Sequence, residues 1–112
     1  MSIEIAPDVL QYQNGKWIIT IPFAQSGGGM LAIGTEWCGY CKQLKNVVKN
    51  AQMEKNFDFF WMDGEKTPDH EAKSKQMNIK GYPTIFYINR NGVLHEYNGG
   101  RTAEDIAKVF HK

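Results

Sequence analysis

The order of apolar patterns along this 112-residue chain predicts an α/β fold, a central mixed β-sheet flanked by helices on both faces. Three observations carry that expectation. Strand-like and helix-like segments alternate from Met30 to Met77, the arrangement of strands joined by crossover helices. A hairpin pattern follows from Thr84 to Tyr97, which makes the sheet mixed. Phe57 to Met62 is too apolar for a half-exposed strand and belongs inside a sheet covered on both sides.

Each element has a local reason. Val9 to Ile21 holds Asn14-Gly15 between apolar-rich flanks, a hairpin signal with Lys16 to Ile21 as its second strand. Pro22 and then Ser26-Gly27-Gly28-Gly29 end it in a flexible loop. That triple glycine lacks the Lys-Ser/Thr that completes a phosphate loop, so it reads as a connector. Met30 to Gly34 is a short apolar strand feeding Glu36-Trp37-Cys38 and then a helix. Within the helix-forming run Lys42 to Gln52, Leu44, Val47, Val48 and Ala51 recur at i, i+3, i+4, i+7 and give a core face. Thr67-Pro68 starts a second helix, with Thr as cap and Pro at the first helical position, running to about Met77. Thr84 to Asn89 and Val93 to Tyr97 are strands around the Asn91-Gly92 turn. Thr102-x-x-Asp105 then opens a last helix with Ala103, Ile106, Ala107 and Phe110 as its apolar stripe. With no repeat or linker, residues 1–112 are expected to form one domain. It has an N-terminal strand region and Gly-rich loop over 1–29 and a core over 30–110.

Composition narrows the function classes. At 42% hydrophobic the chain can bury a core without staples. A net charge of +1, with acidic and basic residues intermixed, gives no nucleic-acid footprint. Lys42, Lys45 and Lys49 recur at helical spacing and read as a solvated face, with Lys42 one turn from Cys38. No apolar run approaches the roughly 20 residues that span a bilayer. Met1 to Leu10 contains Glu4, Pro7 and Asp8 and is not a signal peptide, and Val109-Phe110-His111-Lys112 is not a retention signal. The chain thus reads as a soluble monomer, cytoplasmic by default, or from an oxidising compartment if a signal was removed.

The most informative feature is Cys38-Gly39-Tyr40-Cys41, which holds both cysteines of the chain at the junction of a strand and a helix. Residues three apart on a helix share a face, so the two sulfurs can pair and separate without refolding. The first sulfur also sits at the helix N-terminus, where unpaired N–H groups and the macrodipole favour an anion. Cys38 is therefore the expected nucleophile, and Cys41, in line with Leu44 and Val48, the more buried resolving thiol. A purely structural disulfide across so short a loop removes little unfolded-state entropy. A zinc site needs two further ligands, and His70, His95 and His111 are scattered. Redox chemistry without a metal or organic cofactor is the reading that remains.

Three segments together resemble the thioredoxin superfamily, most of all the catalytic domains of protein disulfide isomerases: Glu36-Trp37-Cys38-Gly39-Tyr40-Cys41-Lys42, Ile79-Lys80-Gly81-Tyr82-Pro83-Thr84, and Tyr97-Asn98-Gly99-Gly100-Arg101. The resemblance covers roughly Met30 to Phe110. It implies a thioredoxin fold, a cis peptide bond before Pro83, and Pro83 beside the cysteine pair. The Tyr82 backbone would then meet an extended substrate by strand addition. Trp37 would shield the cysteines and offer an apolar platform, Tyr40 would tune the thiolate, and Gly39 would complete the substrate surface. Substrates would be protein or peptide disulfides and dithiols, with a further redox partner for recycling. It leans towards isomerase or oxidase duty rather than reduction.

Two departures from the family pattern stand out. Where relatives keep a buried acid six residues before the first cysteine, this chain has Ala32, and near the position of their accompanying Lys it has Trp61. Losing both is self-consistent, since one buried charge without the other is costly. Water or another group, Glu36 among the candidates, would then move the Cys41 proton. The alternatives are a glutathione-dependent, glutaredoxin-like enzyme, which Trp37 and Gly81-Tyr82-Pro83-Thr84 argue against, and a non-catalytic binding module of the same fold.

Overall fold

The computed structural model describes residues 2–21 and 28–110. Five strands form the main sheet: β1 (Ser2–Glu4), β4 (Gly29–Gly34), β5 (Asp58–Asp63), β6 (Thr84–Ile88) and β7 (Leu94–Glu96), in the order β1-β5-β4-β6-β7. Strand β5 runs parallel to both β1 and β4, while β6 is antiparallel to β4 and β7 to β6. The sheet is mixed for the reason the pattern suggested. Its parallel half is crossed by a helix, and its antiparallel half is a hairpin turning at Gly92, whose φ is +82°.

Alternation along the strands divides the core into two layers. Met30, Ala32, Phe59, Trp61 and Ile85 face helices α1 (Gly39–Glu54) and α3 (Ala103–Val109), meeting Leu44, Val48, Ala51, Ile106 and Phe110. The intervening residues Leu31, Ile33, Phe60, Met62, Phe86 and Ile88 face the other way, towards Met77 at the end of α2 (Pro68–Gln76). That period-2 division buries β5 on both faces. The caps fall where expected: the Thr67 and Thr102 hydroxyls accept from the His70 and Asp105 amides.

Two features of the N-terminal region were not legible. Ser2–Glu4, within the expected N-terminal strand region but with no strand of its own assigned, is an edge strand against Phe59–Trp61. The Asn14-Gly15 hairpin forms, with β2 (Leu10–Gln13) and β3 (Lys16–Ile19), but as a separate two-stranded sheet. Its second strand ends two residues before the expected Ile21. Leu10 and Ile19 are buried with the α2-side core, and Ile18 bridges Val93. Of the connector expected at Pro22 and Ser26-Gly27-Gly28-Gly29, residues 22–27 lie outside the described residues, and Gly29 is not loop but the first residue of β4, where it pairs with Asp58.

The crossover from β4 into α1 positions the cysteines. Gly34 ends β4, and a methyl group placed there would lie 2.5 Å from both Cys41 Sγ and Trp61 Cη2. The strand end, the helix start and the indole close on one point. Gly34→Ala is therefore expected to destabilise the fold by about 1–3 kcal/mol, as overpacking does. Urea unfolding followed by circular dichroism reads this, and an unchanged midpoint would show that the sulfur and indole yield freely.

Candidate functional site

Both cysteines are free thiols. Cys38 is the N-cap of α1, and its Sγ accepts the Cys41 backbone N–H at 3.2 Å. A cap normally offers an oxygen to one of the helix's orphan amides. Here the sulfur takes that place, so the helix end solvates the Cys38 sulfur. The Cys38 thiol also reaches the Tyr82 carbonyl, 3.8 Å away. The Tyr82–Pro83 peptide is cis. Two segments more than forty residues apart in sequence thus meet at one sulfur.

Cys41 is the more buried of the pair, 1% exposed against 7% for Cys38. Burial pushes its thiol up to about 11, reinforced by its hydrogen bond with Cys38 and the charge there; the Thr35 backbone and the Lys45 ammonium act in the opposite sense. Ala32 is fully buried and pairs directly with Trp61 across the β4–β5 ladder. Lys45 Nζ stands 4.0 Å from the centre of the Trp61 ring. Where relatives set an acid and a lysine, this core sets a methyl and an indole, with a cation on the indole face. Thr35 is buried, and its Oγ1 has no protein partner among the described residues.

The remaining predicted site residues gather round the cysteines with different exposures. Trp37 and Tyr40 are 71% and 73% exposed, large apolar surfaces beside a reactive group. Trp37 is nonetheless held: its Nε1 donates to Glu65 Oε1 at 3.2 Å, and its ring meets Tyr82 edge-on at 6.2 Å. Gly39 is the first helical residue and lies open, with nothing within 4 Å of where a Cβ would stand. Tyr82 is half-buried rather than exposed, its hydroxyl packed so closely on Gly64 that a Cβ there would come within 2.6 Å. Burial, then the Glu65 carboxylate, raises the Tyr82 phenol above its usual range and keeps it neutral. Arg101 Nη2 donates to the Pro83 carbonyl at 3.3 Å, which ties the third motif to the second.

A hollow of about 560 Å³ opens beside this loop, lined by Met77 to Phe86, Glu96 to Asn98 and Arg101. Among the described residues no three His, Cys, Asp or Glu side chains gather where they can hold a metal ion, and no helix is long and apolar enough to cross a membrane.

Two charged residues near the site were not singled out from the sequence: Lys45 beside Cys41 and Glu65 beside Trp37. Lys42, one turn from Cys38, is exposed, whereas Lys45, one turn from Cys41, is half-buried and carries the charge that acts on the thiol. Applying the i, i+4 rule to the second cysteine finds it. Glu36 is exposed and is not among the groups that shift Cys41. Glu65, which orients Trp37, lies 28 residues away on a different loop, and no local pattern points to it.

Comparison with known proteins agrees with this geometry. The thioredoxin family model matches residues 24–112. A protein disulfide-isomerase A6 homolog of Drosophila melanogaster is 36% identical over 94 residues, 80% of this chain and 19% of that protein. A protein disulfide-isomerase of Datisca glomerata is 30% identical over 94 residues, 82% of this chain and 18% of its own length. The chain thus spans about a fifth of the length of the curated relatives it matches. The crystal structure of chloroplastic thioredoxin z superposes with a TM-score of 0.64 at 21% identity, over 78% of each chain, which speaks for the fold alone. On the extent of the family match and the mixed sheet with its helices, the chain belongs to the thioredoxin family and takes the thioredoxin fold.

Proposed function

We propose that this chain exchanges disulfides with polypeptide substrates through Cys38 and Cys41, with Cys38 as nucleophile and Cys41 as resolving thiol. The observation that carries this reading is the asymmetry of the pair. One sulfur caps a helix and faces the Tyr82 carbonyl, and the other is a buried thiol held neutral up to about pH 11. The Cys38 thiolate attacks a substrate disulfide, the S–S bond breaks, and one substrate sulfur leaves as thiolate and takes up a proton. Cys41 then loses its proton and attacks Cys38 Sγ. The second substrate thiol departs, and the two electrons that reduced the substrate leave a Cys38–Cys41 disulfide. The same steps in reverse oxidise a substrate dithiol. Trp37, Gly39 and Tyr40 supply the apolar surface, and the Tyr82–Pro83 backbone supplies the edge along which an extended substrate pairs. A redox partner recycles the pair, and residues 1–112 act as one domain.

Division of labour between the cysteines is tested by trapping. Cys41→Ser should accumulate mixed disulfides with disulfide-bonded, unfolded protein substrates through Cys38, and Cys38→Ser should accumulate several-fold fewer. Non-reducing gels of acid-quenched samples read this, and equal trapping by both variants overturns the assignment.

A resolving thiol near 11 makes the second step pH-dependent. In the mixed disulfide Cys38 no longer carries a thiol or charge, but burial still holds Cys41 above the usual thiol range, so decay of the mixed disulfide should quicken with rising pH from about pH 6 to about pH 9. Lys45→Met removes the cation that lowers this thiol and should slow the step. Ala32→Asp supplies the missing proton acceptor and should speed it near neutral pH, at a stability cost of about 3 kcal/mol because Trp61 offers a buried carboxyl no partner. Stopped-flow decay in the three folded proteins is the measurement, and identical pH-independent rates would show that water already moves the proton. The net direction follows from the equilibrium potential of the pair. A value near about −180 mV or higher supports isomerase or oxidase duty, the reading favoured here, and one near about −270 mV a reductase.

A further inference from the structure

The hairpin β2–β3 lies outside the part of the chain that matches the family, which begins at residue 24. It is nevertheless firmly seated. Lys73 of α2 donates to the Leu10 carbonyl at 2.7 Å and holds its ammonium 5.4 Å from the centre of the Trp17 ring. On the other strand, Ile19 N–H donates to the Gly92 carbonyl at 2.9 Å. A hairpin held to both α2 and the β6–β7 turn presents a fixed surface rather than a loose arm.

That surface is aromatic. Tyr12 is 62% exposed and meets the half-buried Trp17 edge-to-face, with ring centres 5.3 Å apart. The pair shares a hollow of about 480 Å³ with Gln76, Met77 and Asn78. Met77 and Asn78 also line the hollow of about 560 Å³, together with Tyr82 and Pro83. The two hollows therefore adjoin across the end of α2, one lined by the hairpin and the other by Tyr82, whose carbonyl lies 3.8 Å from Cys38 Sγ. A small disulfide needs only the Cys38 end of this path. An extended polypeptide runs along all of it, and the chemistry of the far end suits one: two aromatic walls for an apolar side chain, and the Gln76 and Asn78 amides for a peptide backbone.

We propose that Tyr12, Trp17 and the Gln76–Asn78 end of α2 form a second binding position for the polypeptide substrate. It accepts an aromatic or large aliphatic side chain several residues from the cysteine under attack at Cys38. This rests on the disulfide-exchange reading for the identity of the substrate and extends it to substrate choice. The site selects unfolded or extended segments in which a cysteine and an apolar residue are separated by a fixed stretch of chain, and it is indifferent to small disulfides.

The test uses the full chain and synthetic peptides of about fourteen residues, each extended residue spanning about 3.3 Å. Each carries a disulfide near one end and one Phe moved stepwise towards the other, with an all-Ala control and a truncated peptide lacking the flank. One Phe position should raise kcat/KM over the Ala control about tenfold. Tyr12→Ala should abolish that gain through KM with kcat held, while leaving the truncated peptide unaffected. Tyr12→Lys, at the same exposed position, should do the same. Equal kcat/KM for Phe and Ala peptides at every position in the parent protein overturns the proposal. So does a loss on Tyr12→Ala that falls equally on the truncated peptide, or an effect of Tyr12→Ala confined to self-association in sedimentation. A second measurement separates this inference from the one it rests on: fluorescence anisotropy of a Ser-for-Cys Phe peptide binding to the Cys38→Ser/Cys41→Ser double variant. Phe-dependent binding lost in Tyr12→Ala, with no turnover of any peptide by the parent, keeps the docking position and sinks the redox reading. Turnover without Phe-dependent binding does the reverse.

Discussion

One contact governs the arrangement: the start of α1 is pressed against the end of β4 so closely that Gly34 has no room for a methyl group. Cys41 Sγ and the edge of Trp61 occupy that space. Everything about the cysteine pair follows from this closeness. Cys41 is driven into the α1-side core, where burial keeps it a thiol. Cys38, three residues earlier, is left at the rim as the helix cap. A single turn of helix across a strand end thus produces two unlike sulfurs from identical side chains.

The same contact explains how the core manages without the acid its relatives keep. A buried carboxylate is tolerable only with a partner, and here Ala32 and Trp61 face each other in register, so neither charge is present. The indole is not inert, however. Its face receives Lys45, which brings a cation from the helix surface to the edge of the core without burying it fully. The electrostatic influence on Cys41 comes from that direction, through a residue on its own helix rather than from a neighbouring strand.

Around the sulfurs, the proposed substrate surface is assembled from loops that the sheet brings to one end. Glu65, from the turn after β5, orients Trp37; Tyr82 closes against Gly64 of the same turn; and Arg101, before α3, reaches the Pro83 carbonyl. Each of these contacts crosses from one loop to another and ties the loops around the start of α1 together. The hollow beside Pro83 and the one beneath the hairpin then extend the surface along the end of α2.

Local chemistry was enough to determine most of the elements and to mark out the cysteine pair. Asn14-Gly15 allows the left-handed turn of a hairpin, and Asn14 and Gly15 have φ of +53° and +79°. Thr67-Pro68 and Thr102 cap helices because a hydroxyl in that position satisfies an orphan amide. The helical spacing of Cys41, Leu44 and Val48 put one cysteine in the core and the other at its edge. Three motifs at family spacing then pointed to the fold. What depended on long-range packing stayed hidden. Ser2–Glu4 is too short and too exposed to signal a strand, and becomes one only because β5 offers an unpaired edge. The pairing of Glu65 with Trp37, the choice of Lys45 over Lys42, and the meeting of Tyr12 and Trp17 with the end of α2 all depend on how helices and loops dock on the sheet. Sequence records which side chains share a turn or a strand face, because those distances are set by local geometry. Which elements then meet is decided by burial of the whole core, and only the tertiary structure carries that outcome.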